Sequence, residues 1–198
     1  MASASDGDAI FVLTDADGGK HEVQVHSIVL KLASKVFAAM FGPHFSEGQD
    51  LNSNSPKRVE MPDDEPEAMK LLCDALHHRL EDTLTAPRGS LLDHVVKLVD
   101  KYDCSAAMMG ISTVWMYKLI EDAKYMDYEG WERLLPVAYL FNNAQSFYEV
   151  TKGLVYHYDG FFSSIEHEMM DCLPTGVLGK DQFDLFYFLD DFLTYELN

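Results

Sequence analysis

At His26 the hydrophobic period of the chain changes from two to about 3.6, and no other feature restricts its fold so tightly. Residues 21–25, His-Glu-Val-Gln-Val, alternate polar and apolar, so an extended chain would send successive side chains to opposite faces of a sheet. Residues 10–14, Ile-Phe-Val-Leu-Thr, are β-prone. Between the two runs, Asp15-Ala-Asp-Gly-Gly19 is turn chemistry, with glycines able to take positive φ. The pattern predicts a β-hairpin with one buried face. Directly after it, Ile28, Val29 and Leu32 form an apolar stripe at helical spacing. Ser34 is placed to cap a second helix carrying Val36, Phe37, Met40 and Phe41, which Gly42-Pro43 stops.

The rest of the chain is mostly helical in pattern. A polar loop runs from Ser46 to Lys57, and Arg58-Val-Glu-Met61 reads as a short strand. Asp64-Glu-Pro-Glu67 is a helix-start signal, with Asp64 as the cap, Glu67 reaching back and Pro66 needing no amide proton. That helix places Met69, Leu72 and Leu76 on one face and ends near His77-His78-Arg79, where cationic groups suit the negative helix end. After a loop over 83–89, Ser90 is expected to cap a helix with Leu91, Leu92, Val95, Leu98, Val99 and Tyr102 inward. Helices are expected over 108–119, 128–143, 145–156, 165–172 and 181–195, and no internal repeat is visible. The fold class is α+β, with helix dominant: a small sheet flanked by a helical cluster, then an all-helical extension.

The segment from Val23 to Phe41 resembles the BTB/POZ signature: a strand ending in Val-His, a Val-Leu helix, a serine, and a Phe-x-x-Met-Phe helix. Here those positions are His26, Leu30, Ser34, Phe37, Met40 and Phe41. Phe45-Ser-Glu-Gly48 is similar to the loop after the second helix. Val59-Glu-Met61 with Asp63-Asp64 and Glu67-Ala-Met69 is similar to the third strand entering the third helix. Leu91 to Cys104 and His77-His78-Arg79 resemble fungal members of the family. The resemblance covers about residues 8 to 120. It implies a flexible N-terminus over 1–9, a BTB/POZ-like domain over 10–122 and a helical extension, BACK-like or a brace, over 123–198. It also implies a structural His26 that bonds the turn backbone. Such domains self-associate, or dock on a cullin scaffold as substrate adaptors for ubiquitin ligases; the positions matching the cullin-facing rim are around Phe45, His77 and Tyr102. The chain departs from the family in three ways. About nine residues precede the first strand, so no swapped N-terminal segment is expected. The strand after the third helix is barely visible in Leu80 to Thr85. Nothing in the 198 residues reads as a Kelch, MATH or zinc-finger region, so none is expected beside the domain.

Charge and composition narrow the function classes. Fifteen basic residues stand against thirty-three acidic ones, a formal net charge of −18. That field repels nucleic acid and anionic membrane, since phosphate contacts need clustered Lys and Arg. Cys73, Cys104 and Cys172 are too far apart for a Cys-x-x-Cys pair and read as reduced thiols. The N-terminus lacks the basic and apolar regions of a signal peptide, and the longest apolar runs fall short of a bilayer span. The cytosol or the nucleus is the expected compartment.

Catalytic and metal patterns fail on inspection. Asp15-x-Asp17-Gly18-Gly19 lacks the ligand at the fifth position of a calcium loop and the Gly at its sixth, so a hairpin turn is expected. His77 and His78 diverge by about 100° on a helix and, even with Glu81, lack the spacing a zinc site needs. Cys104 near a helix C-terminus and Cys73 beside an apolar stripe read as buried packing residues. Glu166-His-Glu168 reads as a solvated helix face. No nucleotide-binding or hydrolase motif is present, so neither an enzyme nor a cofactor is expected. The C-terminal run Phe183 to Leu193 is unusually aromatic, with Leu185, Phe188, Leu189 and Phe192 on one helical face. It reads either as a helix docked on the preceding bundle or as a partner-binding helix. Three readings of function stand: a cullin adaptor, a homotypic or transcription-linked interaction module, and an enzyme of unrecognised class.

Overall fold

The computed structural model describes residues 4–126, 128–157 and 169–173. Contacts divide the chain into two compact units, Met1–Ile111 and Ser112–Asn198.

In the first unit, β1 (Ala9–Thr14) and β2 (Lys20–Val25) pair antiparallel, with Phe11 opposite Val23. The turn between them follows the sequence chemistry. The Asp15 Oδ1 accepts from the amides of Asp17 at 3.0 Å and Gly19 at 2.7 Å, and Gly18 takes a φ of +82°. β3 (Lys57–Met61) lies on the other side of β1, parallel to it, giving the order β2-β1-β3. The two-residue alternation sends Phe11, Leu13, Val23, Val25, Val59 and Met61 to one buried face.

The helices cover that face. α1 (Ser27–Ala33) follows β2 directly, and α2 (Lys35–Met40) follows α1. Ser34 caps α2 as expected: its Oγ accepts from the Phe37 amide at 3.0 Å and donates to the Tyr102 carbonyl. Phe37 is fully buried, its ring stacked on Tyr102 at 4.5 Å and on Phe11 at 5.9 Å, with Phe41 6.1 Å from Phe11. Burial of such a ring stabilises by about 1.5–3 kcal/mol. The buried side of α1 differs from expectation. It is Leu30, with Ser27, that points inward, while Ile28 and Leu32 are exposed, as is Val36 on α2. Leu30 stands about 200° from each of Ile28 and Leu32 around the helix, so one side or the other must face water.

α3 (Pro66–Leu76) buries Met69, Leu72, Cys73 and Leu76, with Pro66 in its first turn. Its cap is Glu65, whose carboxylate accepts from Glu67 and Ala68, and not Asp64. Asp64 is drawn inward instead, where it accepts from Lys101 Nζ at 2.6 Å and from the Tyr102 hydroxyl. A short helix, α4 (Leu80–Thr83), stands in place of the strand that the resemblance puts after the third helix. α5 (Ser90–Lys101) buries Leu92, Val95, Leu98 and Val99. Gly89, at a φ of +62°, holds its cap position, and Ser90 is already inside the helix.

α6 (Ser105–Ala123) runs through the division into the second unit. There α7 (Tyr128–Leu140) packs on α8 (Ala144–His157). Trp131, Leu134, Leu135, Ala138 and Phe141 are buried, as are Phe147, Val150 and Leu154, and Asn143 caps α8 through the Ser146 amide at 2.9 Å. Of the segment 165–172, the described part is a 3-10 turn, Met170–Cys172. Glu166 to Glu168 and the aromatic run holding Phe188 and Phe192 lie outside the described residues.

Candidate protein-interaction surface

The apolar residues that α1 and α2 leave outside define the surface. Ile28 and Leu32, one helical turn apart on α1, are 57% and 83% exposed. Val36 in the first turn of α2 is 38% exposed, and Phe45, in the loop after α2, is 52% exposed. The reason is local. α1 is a single short amphipathic helix whose buried side is fixed by its start. Asp8 accepts from the Ser27 amide and the Ser27 hydroxyl, each at 2.7 Å, and so orients the first turn. The sequence points to Phe45 at this surface and not to Ile28, Leu32 or Val36, because a helical stripe does not say which side finds the core.

The other two rim positions lie differently. Tyr102 is buried, its ring on Phe37 and its hydroxyl on Asp64; burial and the Asp64 hydrogen bond push the phenol well above its usual range. It is a core residue whose ring and hydroxyl are both used inside the first unit. His77 is half-buried at the C-terminal end of α3 and fully committed. Its Nε2 accepts from the His26 backbone amide at 3.0 Å and its Nδ1 lies 2.7 Å from the Cys73 carbonyl. Partial burial holds its pKa below the ordinary value near 6.5. The Cys73 carbonyl opposes this and the neighbouring His26 reinforces it. The His26 ring does not bond the turn backbone: its Nε2 faces Asp6 Oδ1 at 3.1 Å, and its centroid lies 5.9 Å from that of His77. Phe45, His77 and Tyr102 therefore do not form one accessible cluster. Of the remaining signature positions, Leu30, Ser34, Phe37 and Phe41 are buried and Met40 is half-buried.

An open groove of about 960 Å³ lies between β2, the first turns of α3 and residues 85–91. Within it His21 pairs with Asp15 at 2.7 Å, and Lys70 with Asp74. Cys73 and Cys104 are buried, and desolvation raises both thiols, Cys104 to about 12, as the reading of packing thiols requires. Among the described residues no cluster of His, Cys, Asp or Glu could hold a metal ion, and no helix is long and apolar enough to cross a membrane.

A search of the curated proteins returns no match. The family model for the BTB/POZ domain matches residues 3–113, more than half of the chain. That span takes in the hairpin, the parallel third strand, the paired helices and the Ser34 cap described above, and the chain belongs to the BTB/POZ family of protein-interaction domains.

Proposed function

We propose that the chain is an assembly adaptor that docks partner proteins through the outward side of α1, α2 and the loop that follows. One observation carries this reading: Ile28, Leu32, Val36 and Phe45 are large, apolar and exposed within one short stretch of the first unit. Such a group marks an interface, and a few buried apolar anchors supply most of the binding energy once covered. The charge of −18 adds solubility and discourages nucleic acid as a direct partner. The family resemblance supports a cullin scaffold as the partner at the Phe45 end, with His77 at the margin and the chain acting as a ubiquitin-ligase substrate adaptor.

A second copy of this chain is the other occupant that an observation favours. Ile28 and Leu32 share one face of one helix, which suits a two-fold contact where the same patch meets itself. Two measurements separate these readings. Binding of the purified chain to a purified cullin is expected to weaken by roughly 30-fold or more in Phe45→Ala, the effect of one interface anchor. Self-association by light scattering is expected to vanish in Leu32→Asp. A wild-type chain that stays monomeric across micromolar concentrations removes the homotypic reading, and one that ignores the cullin at those concentrations removes the adaptor reading.

A further inference from the structure

The junction between β2 and α1 is tied to the end of α3 by an imidazole. The amide of His26 can only donate, so His77 Nε2, 3.0 Å away, must be the unprotonated nitrogen. Its proton therefore sits on Nδ1 and is donated to the Cys73 carbonyl at 2.7 Å. Both ring nitrogens are used, and only the neutral Nδ1–H tautomer satisfies both partners. Adding a proton to Nε2 would set one N–H against another and leave the His26 amide without its acceptor. We infer that His77 is a proton-sensitive latch: its neutral ring holds the β2–α1 junction against α3, and its protonation releases that junction and the helix that begins there.

The groups around the ring set the direction. His26 and His78 oppose a second positive charge beside them, and burial of the ring does so more strongly. Asp74 on α3 favours protonation, but Lys70 already occupies one of its oxygens and Arg79 Nε lies 3.9 Å from the other. On the N-terminal segment Asp6 faces the His26 ring and Asp8 is taken up by Ser27. α1 has Lys31 as its one charged side chain. The ring consequently resists protonation in the folded chain while the unfolded chain accepts it near pH 6.5. The sign follows: the latch contributes fully above that value. Its contribution falls as the pH drops toward the folded pKa, by at most about tenfold in the folding constant per pH unit. The latch itself needs no partner; its consequence for docking rests on the reading of α1 as a docking face.

Imidazole NMR on the full chain, from about pH 7.5 to about pH 5, tests this, with exposed His44 and His94 as internal references. The expected result is a bare Nε2 on His77 at the upper end and a titration midpoint below those of both references. Amide protection at His26, with the intrinsic pH dependence of exchange divided out, should fall by roughly tenfold in step with His77. An Nε2–H tautomer at the upper end, or exchange at His26 that ignores the His77 titration, overturns the inference. Urea midpoints add a second readout: His77→Gln should remove the pH-dependent loss between about pH 6.5 and pH 5.5, and an unchanged loss counts against the latch. Leu32→Asp examines docking separately, so failure of the docking face and failure of the latch give different results.

Discussion

Ser34 joins three parts of the first unit with one hydroxyl. It accepts from Phe37 to start α2 and donates to the Tyr102 carbonyl beyond α5, inside the core. Ser34→Ala leaves a buried amide and a buried carbonyl without that partner. It is expected to cost about 1–2 kcal/mol, or roughly 2–8 °C in melting temperature, read by thermal denaturation. The local half of this role was legible, because a serine three residues before a buried aromatic is a cap pattern. The distant half was not, since nothing in the sequence near Ser34 points to a carbonyl 68 residues away. Asp64 shows the same limit. Its position suggested a cap, but Lys101 and Tyr102 draw it inward and Glu65 takes over at α3. Similarly, the pairing of His26 with His77 is a contact across 51 residues that no spacing rule foretells.

Helices and strands were more readable than the sides they present. The change of period at His26 marked the end of β2 and the start of α1, and the stripe of α3 gave its buried face correctly. On α1 the stripe was real but turned outward, because a helix this short has room for one inward anchor and Leu30 fills it. The candidate surface was thus legible at Phe45 and hidden at Ile28 and Leu32. In the second unit, the contact of α7 with α8 depends on a residue that has no side chain. A Cβ on Gly153 would stand 2.2 Å from the Trp131 ring. Gly153→Ala is expected to force the two helices apart or tilt the indole, at about 1–3 kcal/mol. Tryptophan emission should shift in that variant, with Trp131 rather than Trp115 responsible, which a Trp115→Phe background checks.

For the molecule as a whole, the order β2-β1-β3 puts the first strand in the middle of the sheet. Its parallel neighbour arrives only after both α1 and α2, through a largely exposed polar stretch over 49–56. A single protease cut in that stretch is expected to leave the two pieces together. The Ala9↔Lys57 to Leu13↔Met61 register and the rings around Phe37 span the cut. Size-exclusion chromatography should show one peak in buffer and two in denaturant; separation in buffer alone would contradict it. The same topology governs synthesis. A ribosome releases the hairpin while one edge of its central strand is still bare, and that edge is sealed only by a segment translated later. The nascent chain therefore carries an adhesive margin until residue 61 emerges, and the helical pair between the strands is translated before the sheet can be completed.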